Sequence, residues 1–406
     1  MFKPLKFLFI SSDKYIPFRV DVSVLFGRVL SGRGHNIDWI LQSEDKCDQD
    51  YKTKWQGNEV WVGATNLGTG RLARLHKHCL DKKNDFKMVK LIRRKKYDFV
   101  QVKNKFISAL PALWFAHRNN CKFIYWLSYP LPEASIHAVN DGSAPYPVFY
   151  YLRGLLSKFL LYRIIMPRAD HVFVQSEQMK RDIMEEGISG EKLTAVPMGI
   201  EPSNFPQFDS TGNIPGTNNK YVTYLGTMIR ARKMEFLIRS FSKVLDHVPD
   251  AILFMVGGGN HPSDISFLKN EADRLGISDS VVFTGFLPMK EAWSYVQKAQ
   301  VCVSPFYPIP ILNSTSPTKL VEYMGFGKPV VATNHPEQSL VISQSGAGIC
   351  VPYDEGAFAR GIIEILNDPV RAEHMGRKGK EYVYQNRTYE RIADLVEKEY
   401  YRIIER

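Results

Sequence analysis

Short apolar runs alternate with longer amphipathic stretches along the first half of the chain. Strand-like runs fall at 5–12, 36–42, 97–102, 122–127 and 170–176. Stretches with helical periodicity separate them, one of which covers 147–167. This alternation favours parallel strands joined by helices, because parallel strands need long crossover connections. The pattern therefore predicts a doubly wound parallel sheet.

The same rhythm restarts in the second half. Further strands are predicted at 221–227, 251–259, 280–286, 299–306 and 329–334. The intervening stretch, 196–220, gathers Pro, Gly, Asn and Ser and is predicted to be a linker. The fold class expected is α/β, with two Rossmann-like doubly wound parallel-sheet domains facing a cleft. Open parallel sheets bind ligands beyond the carboxyl ends of their strands, so the cleft is the expected site.

The predicted domains are 1–200 and 201–386. The final stretch, 387–406, places its large apolar side chains on one helical face. They are Tyr389, Ile392, Val396, Tyr400 and Ile403. We expect this helix to pack back on the first domain.

Composition excludes several classes of protein. A chain of 406 residues with 44% hydrophobic and 23% charged residues is neither disordered nor fibrous. Its five cysteines are dispersed and form no Cys-x-x-Cys pair, so neither a disulfide framework nor a zinc site is expected. Cytoplasmic localisation follows as an expectation. The N-terminal apolar run continues into a strand pattern and is interpreted as the first strand rather than a signal peptide.

Positive charge is concentrated in one segment. Of the net charge of +11, the segment 71–96 carries +9, from eleven basic and two acidic residues. Such a stripe suits an anionic membrane, a nucleic acid or simply a solvated helix face. The segment 146–168 is rich in Phe, Tyr and Leu but contains Arg153, Lys158 and Arg163, which disfavours a membrane span. It is either an amphipathic interfacial helix or a core helix.

Two turns in the second half suit phosphate binding. In GTMIRARK, a strand ends at Gly226 and Arg230, Arg232 and Lys233 follow before a helix. Cations and free backbone N–H groups at such a turn form an anion site. A solvated turn is the alternative. Gly285, followed by Phe286, would let a nucleobase lie against the backbone.

A second phosphate cradle is predicted in SPTKLVEYMGFGKP. A helix starting near Pro317 points the N–H groups of Thr318 and Lys319 at an anion, beside Leu320. Glu322 lies about one turn later, where a carboxylate accepts hydrogen bonds from the vicinal hydroxyls of a ribose. An exposed helical glutamate is the alternative.

Several stretches together resemble glycosyltransferase family 4 (group 1), the retaining nucleotide-sugar transferases of GT-B fold. They include YLGTMIRARKMEFLIRSF, VVFTGFLP and SPTKLVEYMGFGKPVVATN. The resemblance implies that Glu322 is the second glutamate of the family's Glu-x7-Glu motif, which holds the donor ribose. It places Arg232 where the family has a lysine that neutralises the donor diphosphate.

The donor half departs from the family pattern at two positions. Ser314 stands where the first glutamate of the motif contacts the donor sugar. Thr227 stands where an arginine commonly follows the strand glycine, and Arg230 is the candidate substitute for it. The resemblance therefore implies a nucleotide site with altered sugar recognition.

The first half also departs from the pattern. Ser128 stands where a catalytic-region histidine often ends a strand. The usual glycine pair after the first strand is replaced by DKYIPFRVD, in which Arg19 and Asp21 are the candidate acceptor-side residues.

These features predict a metal-independent glycosyltransferase. Arg232 and Lys233 would stabilise the departing nucleoside diphosphate, with Ser128 also in the catalytic set. No cofactor is expected, since the nucleotide sugar is a substrate, and UDP is favoured over GDP. The acceptor is expected to be lipid-linked or a polysaccharide at the inner membrane face, and nucleic acid is not an expected partner. A non-catalytic nucleotide-sugar-binding protein and a sugar-nucleotide isomerase remain alternatives.

Overall fold

The computed structural model describes residues 3–68, 70–205 and 220–405, which form two compact units. Unit 1 runs to Pro197 and includes the C-terminal segment from Tyr389, and unit 2 is Met198–Thr388. Most of the predicted linker, 206–219, lies outside the described residues.

The described part of unit 1 contains a sheet of eight strands in the order β3-β4-β2-β1-β5-β6-β7-β8. The strands are β1 (Lys6–Tyr15), β2 (Asn36–Ser43), β3 (Tyr51–Trp55), β4 (Asn58–Gly63), β5 (Phe99–Lys103), β6 (Lys122–Leu127), β7 (His171–Val174) and β8 (Leu193–Ala195). All neighbours pair in parallel except β3, which is antiparallel to β4 at one edge. Helices cover both faces, which explains why the inner strands are continuous apolar runs.

The helices of unit 1 before the linker are mostly crossovers between these strands. They are α1 (Val20–Ser23), α2 (Arg71–Asp85), α3 (Lys87–Arg94), α4 (Phe106–Arg118), α5 (Leu131–Asn140), α6 (Pro147–Phe159), α7 (Met166–Arg168) and α8 (Glu177–Glu185). Two segments, Leu25–Leu30 and Leu160–Ile165, are π-helical. The second joins α6 to α7 in one helical run.

The described part of unit 2 contains a parallel sheet of six strands in the order β11-β10-β9-β12-β13-β14. The strands are β9 (Lys220–Leu225), β10 (Ala251–Val256), β11 (Val281–Gly285), β12 (Val301–Ser304), β13 (Val330–Thr333) and β14 (Gly348–Val351). The helices are α9 (Glu235–Leu245), α10 (Pro262–Arg274), α11 (Met289–Lys298), α12 (Pro310–Asn313), α13 (Thr318–Gly325), α14 (Pro336–Ser345), α15 (Glu355–Asn367) and α16 (Pro369–Asn386). The α/β class with two parallel sheets is confirmed.

The last helix, α17 (Tyr389–Glu405), belongs to unit 1. All five apolar residues of its predicted face are buried, in a cluster with Phe7, Trp39 and Phe99 from the sheet. Tyr400 also donates a hydrogen bond to the Gln101 side chain on β5. The helix therefore completes the core on one face of the sheet.

Four strands, β3, β4, β8 and β14, were not predicted. Strand β3 is a largely exposed edge with three polar residues out of five, and β8 and β14 have only three and four residues. Segments this short or this polar take their conformation from the strand beside them, so their own pattern is weak.

Within the described residues, none of the helices combines the length and the apolar composition that crossing a membrane requires.

Candidate functional site

The end of β9 and the start of α13 meet at Gly226. This glycine has φ = +153°, and a Cβ added to it would lie 2.8 Å from Nζ of Lys319. The Met228 N–H donates to the Gly258 carbonyl at 2.9 Å, which closes the turn after β9. A glycine is needed here for both the backbone conformation and the approach of the lysine.

Lys319 is a partly buried cation packed against aromatic rings. Its Nζ lies 4.0 Å from the centroid of the Tyr224 ring and 5.6 Å from that of Phe306. Burial lowers the pKa of Lys319 well below its usual value; the charge of Arg232 also lowers it, and only Glu322 opposes them. A bound anion would favour the charged form of Lys319 and complement Arg232 beside it.

Arg232 is held at the same corner through Tyr224. The phenol of Tyr224 donates to the Thr227 carbonyl at 2.9 Å and interacts with the Arg232 side chain by a hydrogen bond. Burial raises the pKa of Tyr224, and the Arg232 charge opposes that rise, so the phenol stays neutral. The structure therefore brings together three of the predicted donor-side residues, Gly226, Arg232 and Lys319.

The other two basic residues of this turn, Lys233 and Arg230, do not share the contact with Tyr224. Lys233 is exposed and has φ = +53°, and its carbonyl accepts a hydrogen bond from Tyr353 at 3.4 Å. Arg230 lies over the Phe267 ring at 3.6 Å, and its Nε is 4.0 Å from the Asp264 carboxylate. Arg230 is thus engaged by helix α10, and its role as a substitute for the family arginine stays a prediction.

Helix α13 begins at Thr318, as expected, with Pro317 as its N-cap and no side-chain cap bond. The Leu320 N–H donates to the Pro317 carbonyl at 3.3 Å. The N–H groups of Thr318 and Lys319 precede it, at the helix start, where a backbone N–H lacks the usual acceptor four residues earlier in the helix. The Leu320 side chain is buried in the core, and its role as a donor-side residue stays a prediction.

Glu322 is one turn into α13 and partly buried. Burial raises its pKa to about 7, and the charge of Lys319 opposes the rise. A carboxylate that is costly to ionise gains from any ligand that donates hydrogen bonds to it. This chemistry suits the predicted ribose contact.

Ser314 ends helix α12, and its hydroxyl donates to the Pro310 carbonyl at 3.2 Å. Behind it, His335 Nε2 donates to the Leu312 carbonyl at 2.8 Å, and its Nδ1 accepts from the Gln338 N–H at 3.4 Å. Burial lowers the pKa of His335 to about 4, so the ring is neutral. Sequence reasoning missed this supporting histidine, although His-Pro before an apolar helix is an available N-cap signal.

Gly285 ends β11 with φ = +72°, and its carbonyl accepts from the Gly257 N–H at 3.1 Å. The following Phe286 is 70% exposed and lies so close to Gly258 that a Cβ there would be 2.7 Å from its ring. An exposed aromatic ring over a glycine turn suits stacking on a flat group such as a nucleobase. Donor binding by Gly285 and Phe286 therefore stays a prediction.

Replacing Gly226 by alanine tests the corner. Positive φ should cost about 1–3 kcal/mol of unfolding free energy, and the new methyl group must also displace Lys319. Gly276→Ala is the matched control, because φ is +68° there and, among the described residues, none beyond its two chain neighbours lies within 4 Å of an added Cβ. We expect both variants to lose stability in urea titrations, but only Gly226→Ala to lose stabilisation by nucleotide. Equal nucleotide responses would contradict the arrangement.

In unit 1, the carboxyl ends of β1 and β5 hold a network of buried charges. Lys103 Nζ lies 3.2 Å from Asp13 Oδ2 and 3.1 Å from Asp21 Oδ2. Arg19 contacts both Asp21 oxygens, with Nε at 3.1 Å and Nη2 at 3.2 Å. The structure thus joins the two predicted acceptor-side residues and adds Asp13 and Lys103, which sequence reasoning missed.

Arg19 is the outermost of these four side chains, with 37% exposed against 0–4% for the others. Burial alone would raise the pKa of Asp21, but Lys103 and Arg19 outweigh it and hold the pKa below its usual value. The network therefore presents one oriented guanidinium to solvent.

Ser128 follows β6 and is paired with Asn104. The Ser128 hydroxyl accepts from the Asn104 amide at 2.7 Å, and the Ser128 N–H donates to the Asn104 side-chain oxygen at 3.0 Å. Asn104 itself has φ = +58°. These bonds join the ends of β5 and β6, and a catalytic contribution from Ser128 stays a prediction.

Lys103→Met is expected to cost about 3–5 kcal/mol of unfolding free energy at pH 7, because it leaves two buried carboxylates without their shared cation. The pKa of Asp21 in the folded protein is held below its usual value. Ionised Asp21 therefore stabilises the folded state at any pH above the usual value, and this stabilisation is lost as pH falls through the lower folded-state pKa. The deficit of the variant should therefore shrink in urea titrations at pH 3 to 4.

Lys122→Met is the matched control on the next strand. Lys122 lies 3.4 Å from Asp170 but is 34% exposed, so its loss should cost less than about 1 kcal/mol. Equal costs for the two variants would contradict the buried network.

The basic segment 71–96 forms α2, α3 and the turn after them. Several of its lysines are paired, with Lys87 Nζ 2.9 Å from Asp50 and Lys95 Nζ 2.7 Å from Asp38. Exposed basic side chains remain at Arg74, Lys83, Lys90, Arg93, Arg94 and Lys96. The side chain of Arg71 lies outside the description. Part of the stripe is therefore ion-paired surface and part is available to an anionic partner.

Two family profiles match the chain, one after the other. The family described as Glycosyltransferase Family 4 matches residues 23–204, and the one described as Glycosyl transferases group 1 matches residues 208–382. The range matched by the group 1 profile, 208–382, includes Gly226, Arg232, Lys319 and Glu322.

Curated relatives carry glycosyltransferase names. The alpha-monoglucosyldiacylglycerol synthase of Streptococcus pneumoniae is 25% identical over 69% of this chain and 61% of its own length. A GDP-mannose-dependent phosphatidylinositol monomannoside mannosyltransferase of Mycolicibacterium smegmatis is 27% identical over 48% of this chain and 52% of its own length. The matches thus span about three fifths and half of these relatives.

Solved structures share the fold over nearly the whole chain. The sucrose-phosphate synthase of Thermosynechococcus elongatus has a TM-score of 0.74 at 19% identity, covering 98% of this chain and 99% of its own. Anabaena HepE, solved with UDP and glucose, has a TM-score of 0.69 at 15% identity, covering 97% of this chain and 99% of its own.

Proposed function

Because the chain belongs to the group 1 glycosyltransferases of GT-B fold, we propose that it transfers a sugar from a nucleoside-diphosphate sugar to an acceptor hydroxyl, with retention at the anomeric carbon. The observation that carries this proposal is the corner of unit 2 where Gly226, Arg232 and Lys319 converge. It combines two basic side chains, the helix-start N–H groups of Thr318 and Lys319 and a glycine that admits close approach.

The proposed donor-side roles follow from this chemistry. Lys319 and Arg232 bind the diphosphate, with Lys233 beside them, and Glu322 accepts hydrogen bonds from the ribose hydroxyls. A UDP-sugar is the favoured donor, since HepE was solved with UDP, while the GDP-mannose named for the mycobacterial relative is the second candidate.

In the proposed transfer, the bond between the anomeric carbon and the β-phosphate oxygen breaks, and its electron pair stays on that oxygen. The acceptor oxygen bonds to the anomeric carbon on the same face, and its proton passes to the released phosphate. The two cations stabilise the charge that develops on the leaving group. They supply in fixed positions the charge that the reaction needs, which supports transfer without a metal cofactor.

The proposed acceptor is lipid-linked or a polysaccharide, met at the inner face of the membrane. The names of both curated relatives contain a glycerolipid or phosphoinositide. Exposed apolar side chains on α6 and exposed cations on α2 and α3 also support a peripheral membrane location. Arg19, held by Asp21, would then orient an acceptor group.

Thermal unfolding with a panel of UDP-, GDP-, ADP- and dTDP-sugars tests the proposal, because selective binding raises the melting temperature by mass action. We expect one nucleotide series to stabilise the protein and its sugar donor to be slowly hydrolysed. Stabilisation with an intact donor after long incubation would favour the alternative, a non-catalytic nucleotide-sugar-binding protein. No response to any nucleotide would refute the donor site.

A further inference from the structure

A largely apolar cavity of about 550 Å³ lies in unit 1 between α4 and the helical run 160–168. Its wall includes Leu110, Leu113, Trp114 and Ile164, and two arginines, Arg118 and Arg168, also line it. An apolar interior with cations at its edge suits an amphiphile with an anionic head.

The cavity is separate from the candidate acceptor-side residues of unit 1. Arg118 ends α4 shortly before β6 begins at Lys122, and Arg168 lies just before β7 begins at His171. Both arginines are therefore at the amino edge of the sheet. Arg19 and Ser128 follow the carboxyl ends of β1 and β6, at the opposite edge.

The arginines are oriented by neighbouring groups. The Arg118 guanidinium lies over the Trp114 ring at 4.7 Å, and Arg168 Nη1 donates to the carbonyls of Arg163 and Ile164 at 3.1 Å each. Each arginine has five N–H donors, so further donors remain for a ligand.

The carboxylate of Asp170 lies beside His117, which also lines the cavity. Asp170 accepts from His117 Nε2 at 3.1 Å and from the Phe123 N–H at 2.7 Å, and Lys122 Nζ is 3.4 Å away. Its charge is thus balanced locally. The positive charge of the two arginines is not cancelled by it.

The cavity continues an exposed apolar face on α6. Six apolar side chains of this helix are between 43% and 75% exposed, at Val148, Phe149, Leu152, Leu155, Leu156 and Phe159. At about 100° per residue they cover about 120° of the helix surface. The opposite side, with Gly154 and Ser157, is buried.

The π-helical segment that follows α6 also has one buried side and one exposed side. Leu161, Ile165 and Met166 are buried, while Arg163 and Arg168 are exposed and Ile164 is partly exposed. Ile164 and Arg168 therefore lie on the outer side of the same helical run as the apolar face. Across the cavity, Trp114 of α4 is 50% exposed.

We propose that this cavity binds the phosphate headgroup and the adjoining part of an acyl chain of an anionic phospholipid in a bilayer, while the apolar face of α6 inserts beside it. The inference deepens the membrane location within the proposed function and rests on that part of it. A patch of this kind on a soluble surface usually marks an interaction site.

Charge favours a lipid surface over a second copy of the chain. Arg118, Arg153, Arg163 and Arg168 all border the apolar surface, and a two-fold contact would bring these like charges together. An anionic bilayer instead complements them, and each basic residue near such a surface adds to binding.

Vesicle flotation tests the proposal, with phosphatidylglycerol in phosphatidylcholine against phosphatidylcholine alone. We expect binding that depends on phosphatidylglycerol and falls at least tenfold in Arg118→Glu/Arg168→Glu. The matched control is Arg360→Glu/Arg377→Glu, which changes the net charge equally at two exposed arginines of unit 2. Equal losses in the two double variants would overturn the site, as would binding that ignores lipid charge.

Trp114 reports on the cavity directly. Vesicles with brominated acyl chains should quench part of the tryptophan fluorescence, and Trp114→Phe should remove that quenched part. Quenching that persists in Trp114→Phe would place the lipid elsewhere, and a dimer in light scattering that is lost in the cavity variant would assign the face to a second copy.

The nucleotide response separates this inference from the donor site. The cavity variant should keep the wild-type melting temperature shift with nucleotide, which also shows that it is folded. If the native protein binds lipid but shows no response to nucleotide, only the proposed donor site is refuted. If it responds to nucleotide but does not bind lipid, only the proposed lipid site is refuted.

Discussion

Lys319→Met is expected to lower the rate of donor turnover by about 10²–10³-fold, because it removes one of two cations placed to stabilise the departing diphosphate. Methionine keeps an unbranched side chain that can pack on the Tyr224 ring, 4.0 Å from the present ammonium. The measurement is hydrolysis or transfer of whichever nucleotide sugar stabilises the native protein.

The variant should fold as well as the native chain. The pKa of Lys319 is well below its usual value, mainly because of burial, so removing its charge relieves a cost in the free protein. A raised or unchanged melting temperature together with lost turnover would separate a functional role from a structural one.

Lys328→Met is the matched control. Lys328 is also a partly buried lysine whose pKa is lowered by burial, and it follows the same helix. We expect its replacement to leave turnover within about threefold of native. Similar losses in the two variants, or none in Lys319→Met, would contradict the assignment of the diphosphate to this corner.

Glu322→Gln is expected to abolish most of the thermal stabilisation by the donor, with affinity falling about 10–100-fold. The carboxylate would accept two ribose hydrogen bonds, and bonds to a charged acceptor contribute about 1.5–3 kcal/mol. Glu373→Gln, at an exposed position of α16, is the control and should bind donor normally. Unchanged binding by Glu322→Gln would refute the ribose contact.

The pH dependence of the native protein adds a second readout. The pKa of Glu322 is raised to about 7 from an ordinary value of 4.5, mainly by burial. Its ionised fraction therefore grows as pH rises from 6 to 8, and donor affinity should grow with it. Glu322→Gln should lack this dependence, while Glu373→Gln should retain it.

The same shift has the opposite effect on the free protein. Between pH 4.5 and about 7 the folded state holds a proton that the unfolded state has lost, so this group makes stability fall as pH rises through that window. Glu322→Gln should therefore be more stable than the native chain at pH 8, by about 1–2 kcal/mol. Lower stability at that pH would contradict a burial-raised pKa.

Local sequence was sufficient for ten of the fourteen described strands and for the start of α13. The inner strands are continuous apolar runs because both faces of each sheet are covered. Pro317 limits where α13 begins, and the helix starts at the next residue, Thr318. Edge and short strands such as β3 and β14 were missed, since their conformation depends on a neighbouring strand.

Partners distant in sequence were not predictable. Lys103 meets Asp13 and Asp21 across 90 and 82 residues. Glycine spacing indicated a turn at Gly226, but not that Lys319, far along the chain, would lie against it. Arg230 was predicted beside Arg232 as one cradle, and the sequence did not indicate that its guanidinium would also pack on Phe267.

By itself, the sequence determined the α/β class, the repetition of the strand-helix rhythm, the apolar face of α17 and the identity of the chemical groups at each strand end. These features depend on hydrophobic periodicity and on residue type, which act over one or two turns of chain. Only the tertiary structure decided which of those groups meet, how deeply Glu322 and Lys319 are buried, and where the α4 cavity opens. Packing brings distant segments together and removes water from between them, and that desolvation sets the charge state and the reach of each side chain.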